Sequence, residues 1–255
     1  MELKRFNRLE QAVMINTEGY NVSQKYNVIN TMDVVQQFEK YGFELNDIAA
    51  SGIRNTDKVG KGKHMVRMAA DFKMVGGLRP EVVIHNSYDG TKALNIRVGL
   101  FRFVCSNGLI AGSNLVPALQ IFHSNNNWSE EINNFIDTYE EKHNKQKEWI
   151  ERMMDKSMCL DEAYILAKKA LEIRHTDNRI INDLVDPLEL LIVQRKEDRS
   201  NNAWSKFNTL QENLVQGNFR KYDNSGNIRK AKVLTNIDEL IRMNIDLSDL
   251  FEKTL

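Results

Sequence analysis

PEVVIHNSYDGTKALNIRVGLFRFVCSN, Pro80 to Asn107, is the stretch that decides the fold. Val82 to His85 is a short apolar run opened by Pro80, and proline is tolerated at the first position of a strand. Asp89-Gly90 is a hairpin turn signal. The return strand sets Leu94, Ile96, Val98 and Leu100 on one face and Asn95 and Arg97 on the other, the alternation of a half-buried strand. Beyond Gly99 the apolar set becomes Phe101, Phe103 and Cys105. A glycine at a parity shift predicts a β-bulge or bend that re-aims Arg102 relative to Arg97.

On the N-terminal side, His64 to Phe72 alternates in the same way, with Val66, Met68, Ala70 and Phe72 on one side and Arg67 and Asp71 on the other. Residues 64–105 therefore read as three or more antiparallel strands with one half-polar face. Before them, Thr31 is placed to cap a helix carrying Val34, Val35 and Phe38, stopped at Gly42.

The remainder reads as helical. Ile132, Phe135, Ile136, Tyr139, His143, Gln146, Ile150 and Met153 follow one helical stripe, with Asn127 and Glu130 as its capping box. Ala163, Leu166, Ala167, Ala170 and Leu171 make a second helix. Asp186-Pro187 opens a third over Leu188 to Lys196. Trp204, Phe207, Gln211, Leu214 and Val215 line a fourth, ended by Gly217. Thr235 caps the last, Ile237 to Met243, and Leu247, Leu250 and Phe251 close the chain. The expected class is α+β, an antiparallel sheet in the N-terminal half followed by a largely helical C-terminal half. Residues 1–126 form the sheet region with its helix and basic loop, residues 127–255 the helical region, and the two read as one continuous domain.

Three words, NSYDGT (Asn86 to Thr91), GLFRFVCSNGLI (Gly99 to Ile110) and AWSKFNTLQENLVQG (Ala203 to Gly217), in this order, resemble the phage/plasmid-like domain-of-unknown-function family. The resemblance runs from about Tyr26 to the C-terminus. It implies a protein of a bacteriophage, prophage or plasmid, and it carries no catalytic residues over.

Of the 255 residues, 35 are Lys or Arg and 35 Asp or Glu, so a uniformly basic coat for nucleic acid is excluded. The neutral total hides a separation. Arg54 to Arg102 holds ten Lys/Arg against four Asp/Glu, and Trp128 to Glu162 holds ten acids against five bases. The loop GIRNTDKVGKGKHMVR spaces its cations with glycines, which suits a surface that tracks a polyanion. The residues expected to bind nucleic acid are Arg54, Lys58, Lys61, Lys63, Arg67, Lys92, Arg97 and Arg102, joined by Arg229, Lys230 and Lys232 of a second basic segment. Tyr88, at a polar hairpin tip, is the expected stacking platform for a base. A solvated loop balanced by the acidic helix is the plainer alternative.

No Walker A loop, HExxH or paired-cysteine motif occurs, so no cofactor, metal or catalytic residue is assigned. Cys105 and Cys159 stand alone, as in a reducing compartment. With neither a signal peptide nor an apolar run long enough to span a bilayer, the expected location is the cytoplasm of a bacterial host. The leading reading is a non-enzymatic binder of nucleic acid, favouring single-stranded DNA, in recombination or replication, with a homo-oligomer as one assembly. The alternatives are an inhibitor that binds a host defence protein through the acidic helix, and a metal-dependent nucleic-acid enzyme.

Overall fold

The computed structural model describes residues 25–50, 62–70, 78–102, 108–110, 114–174, 185–222 and 225–255, with backbone alone for 101–102 and 108–110. Two compact units are present: Met1–Ile110 with Val116–Asn144, and Ala111–Leu115 with Lys145–Leu255.

The first unit is built on an antiparallel sheet in chain order, β1 (Glu44–Ala50), β2 (His64–Ala69), β3 (Leu78–Asn86), β4 (Leu94–Arg102) and β5 (Gly108–Ile110). A further strand, β6 (Leu119–Ile121), shares the β4 edge: it pairs with Leu94–Ile96, while β5 pairs with Gly99–Phe101. Arg97 falls in the gap between these two short edge strands. The alternation read from sequence sets the register. Val66, Ile84 and Ile96 stand in line across three strands, as do Met68, Val82 and Val98. All six are essentially excluded from water, each contributing roughly 1.5–3 kcal/mol if large and fully buried. The bulge expected at Gly99 is absent. Gly99 pairs with Glu81 on one side and Ile110 on the other in unbroken register, and Leu100 keeps the buried parity of Val98. The register shift falls instead between Leu45 and Asp47 of β1.

Helix α1 (Thr31–Glu39) presents Val34, Val35 and Phe38 inward, and Phe38 meets Phe43 and Phe135 edge to face. Its N-cap is Asn30, one residue before the expected Thr31. The Asn30 side chain accepts the Met32 N–H, which frees the Thr31 hydroxyl for another task. Gly42 takes φ +84° in the turn that follows, a conformation glycine adopts without strain. The long stripe from Ile132 to Met153 is two helices, α2 (Trp128–Asp137) and α3 (Tyr139–Asp155). Thr138 separates them: its hydroxyl donates to the carbonyls of Asn134 and Phe135, a local bond that competes with helix continuation. Asn127 makes no side-chain cap; Asn125 instead accepts the Asn127 N–H.

The second unit packs α4 (Leu160–Arg174), α5 (Ala203–Gln216) and α6 (Ile237–Glu252). Phe207 of α5 is its centre, meeting Trp149 and Phe251 edge to face and lying parallel to Trp204. Asp186 caps a 3-10 turn, Pro187–Leu191, shorter than the helix expected there. Asn236, not Thr235, caps α6 by accepting the Glu239 N–H. Gly217 ends α5 at φ +64°, where a Cβ would lie 2.5 Å from the Ala231 carbonyl oxygen. That close approach seats the hairpin of β7 (Arg220–Tyr222) and β8 (Ile228–Lys230).

Candidate nucleic-acid interface

The NSYDGT word lies at one end of the sheet of the first unit and builds a sealed polar knot. The Asn86 amide donates to the Ile29 carbonyl and to the Thr31 hydroxyl, each at 3.0 Å. Its oxygen accepts the Ser87 N–H at 2.9 Å and lies 3.1 Å from His123 Nε2. His123 Nδ1 accepts the Ile29 N–H at 3.1 Å, so the imidazole proton sits on Nε2 and points to Asn86. On the other side, Thr31 Oγ1 lies 2.6 Å from His64 Nε2, and His64 Nδ1 faces the Gly62 carbonyl at 3.0 Å. With Nδ1–H donating to that carbonyl, His64 Nε2 accepts from the Thr31 hydroxyl. Every partner is satisfied with both histidines neutral, and burial pushes both pKa values below the ordinary histidine value.

Tyr88 belongs to this knot. It is 0% exposed, and its hydroxyl accepts the Thr31 N–H at 2.9 Å. A stacking role for Tyr88 is thereby overturned: α1 folds over the hairpin tip and takes the phenol as a backbone partner. Asp89 closes the turn by accepting from the Thr91 N–H and hydroxyl. Burial pulls its carboxyl up, but these bonds, with Ser87 and the nearby Lys63, outweigh that and hold it below the usual range.

Against the knot lies an open cleft of about 660 Å³, lined among others by Lys92, Asn95, Arg97, Gln120, Phe122 and His123. The sheet explains its make-up. Asn95 and Arg97 alternate with the buried Leu94 and Ile96, and Gln120 pairs with Asn95 across β4 and β6. Phe122, two residues on from Gln120, is 63% exposed. The cleft wall is finished by Tyr26, stacked on His123 with ring centroids 4.7 Å apart. The described lining carries two cations and no carboxylate. Its size matches an ordinary small-ligand pocket, and an exposed ring beside cations is the arrangement that accepts an unpaired base and its phosphate.

The expected binding residues are thus divided. Lys92 and Arg97 come together at the cleft. Lys63, next to His64 in the chain, is half-buried and lies near Asp89. Arg67 is 7% exposed and committed to Glu81: Nε donates to Oε2 at 2.8 Å and Nη2 lies 2.7 Å away. A phosphate contact by Arg67 is overturned, because the charge is spent on a buried carboxylate. Burial raises the Glu81 pKa against the opposing pull of Arg67, Arg79 and Asn46. Arg229, Lys230 and Lys232 are exposed in the second unit. Arg54, Lys58 and Lys61 lie outside the described residues, as does the Arg102 side chain. Phe122 was missed by sequence reading, since it follows a strand of three residues whose alternation is too short to register. Among the described residues no group of three or more His, Cys, Asp or Glu converges as a metal site, and no helix is long and apolar enough to cross a membrane.

Fold and cleft define an α+β protein with a cationic, aromatic-edged groove on a sheet. The chain belongs to the family described as Domain of unknown function (DUF932), whose model matches residues 20–235. It is similar to the UPF0380 protein YafZ of Escherichia coli (strain K12), 26% identical over 243 residues, covering 93% of this chain and 85% of that protein. It is likewise similar to the UPF0380 protein YfjQ of the same strain, 25% identical with the same coverage. No solved structure matches.

Proposed function

We propose that the protein binds single-stranded nucleic acid through the β4–β6 cleft, as a binding protein rather than an enzyme, in the recombination or replication of a phage or plasmid. The observation that carries this is the exposed Phe122 ring beside Lys92 and Arg97. In this reading the ring stacks a base, the two cations take the adjoining phosphates, and Asn95 and Gln120 meet the base edge. Stacking is worth roughly 1–3 kcal/mol per base and tolerates any sequence, while the phosphate contacts make affinity fall with salt. A paired base is denied such a platform because its faces are already stacked, so the cleft favours single strands.

The test is fluorescence anisotropy with a labelled single-stranded oligonucleotide at two salt concentrations. Binding at ~50 mM salt that Lys92→Glu with Arg97→Glu removes is the expected result. Absence of wild-type binding there overturns the proposal.

A further inference from the structure

The β7–β8 hairpin of the second unit is not used by the cleft, and its composition is distinctive. Residues 220–232, RKYDNSGNIRKAK, hold five cations and one acid. The register pairs Arg220 with Lys230, Lys221 with Arg229, and Tyr222 with Ile228. Side chains two apart on a strand share a face, so one face carries Lys221 and Arg229. The other carries Arg220, Lys230, Tyr222 and Ile228. Arg220 is held at the base by Glu189, whose carboxylate takes the Arg220 N–H at 2.8 Å and its Nε at 2.6 Å. The hairpin is therefore tethered at its root, where Gly217 and Ala231 approach closely and Ala231 N–H donates to the Phe219 carbonyl.

Farther out, Tyr222 is 45% and Ile228 58% exposed. Two apolar side chains directly opposite one another, in water and flanked by cations on both faces, leave the ribbon without a core of its own. A two-stranded ribbon fits the major groove of B-form DNA, where apolar side chains meet thymine methyl groups while cations neutralise the flanking phosphates.

We infer that the β7–β8 hairpin is a second nucleic-acid contact, one that takes double-stranded DNA: Lys221, Arg229 and Lys230 meet phosphates and the Tyr222–Ile228 pair meets the bases. This inference rests on the nucleic-acid reading above but not on the cleft. A protein with one site for an unpaired strand and another for a duplex can bind both forms of DNA.

The experiment titrates the full chain against a short labelled duplex and its matching single strand. Two variants are compared with the wild type, Lys221→Glu/Arg229→Glu/Lys230→Glu and Tyr222→Ala/Ile228→Ser. The charge variant should weaken duplex binding at least about tenfold and flatten its salt dependence. The apolar variant, which keeps every charge and alters exposed positions only, should weaken it with the salt dependence unchanged. Single-strand binding should stay within about twofold in both, since each phosphate contact is local. Duplex affinity unchanged in both variants, or no duplex binding by the wild type, overturns the inference. Hairpin-dependent capture of a polyglutamate peptide in place of duplex would overturn it in favour of an acidic protein partner. Single-strand binding lost with the cleft variant while both hairpin variants leave duplex binding intact sinks this inference alone. Hairpin-dependent duplex binding without any single-strand binding sinks the cleft reading alone.

Discussion

The knot and the cleft lie on two sides of His123 and are opposites. In the knot, Asn86, Thr31, His64 and Tyr88 are buried, mutually bonded and uncharged. In the cleft, Lys92, Arg97 and Phe122 face outward from the same hairpin and its neighbouring strand. The residues that make the family word NSYDGT recognisable are mostly scaffold. They pin the start of α1 to the sheet end and hold His123 in one orientation. The residues suited to meeting a ligand are less conspicuous ones next door. A motif can thus lie beside a candidate site without lining it, because a buried polar network demands a specific residue at every position while a stacking ring and a cation do not.

The largest way to break this comparison is at its hub. Asn86→Ala leaves Ile29, Ser87, Thr31 and His123 short of partners inside the protein. Buried groups left unsatisfied cost about 1–3 kcal/mol each, and partial relaxation brings the expected loss to about 2–4 kcal/mol. Urea unfolding reads it; a loss under about 1 kcal/mol would show the knot to be dispensable. Phe122→Ala makes the opposite request. It should cost about 1–3 kcal/mol of single-strand affinity and leave the urea midpoint unmoved, since the ring is mostly in water already. A drop in stability with binding retained would make Phe122 part of the scaffold.

Tyr88→Phe is smaller and sharper. It keeps the ring and removes the hydroxyl that accepts the Thr31 N–H, so stability should fall by about 1 kcal/mol with affinity unchanged. Tyr88→Leu should likewise leave the affinity of the folded protein intact. Weaker binding by that variant, beyond its loss of folded protein, would restore the stacking role.

Much of the fold was legible because the sheet obeys a period of two over long strands. Val66 to Met68 and Leu94 to Leu100 announce their faces, and the continuous apolar run Val82 to Ile84 takes its register between them. The bulge at Gly99 was a misreading: Gly99 and Leu100 stay in register with both neighbouring strands, and the Phe101 side chain and Phe103, from which the parity change was drawn, lie outside the described residues. The cap was read one residue late at Thr31 and one residue early at Thr235, because an asparagine adjoins each, before the first and after the second, and asparagine caps at least as well as threonine. The site was less legible. Tyr88 looked exposed because a hairpin tip is usually at the surface, and nothing local says that a helix 57 residues earlier will cover it. Phe122 looked unremarkable because its outward direction is fixed by the pairing of Gln120 with Asn95, a contact between strands.

Acid sharpens the comparison last, with an effect absent at neutral pH. Both knot histidines have folded-state pKa values lowered by burial, against about 6.5 for the unfolded chain. Below that value the unfolded chain binds protons that the folded chain refuses, so stability rises with pH through this window. Their contribution is complete above about pH 6.5, and it is lost as pH falls toward the folded values. Protonating His123 Nδ1 would turn it toward the Ile29 N–H as a second donor, and protonating His64 Nε2 would set it against the Thr31 hydroxyl proton. Glu81 works with the opposite sign: burial raises its pKa, so acidification favours the folded state between its unfolded and folded values. The two effects separate in a His123→Gln chain. Urea midpoints from pH 7.5 down to pH 5 should decline in the wild type and decline less steeply in that variant. Equal slopes in the two chains would remove His123 from the knot's acid sensitivity and leave His64 to account for it.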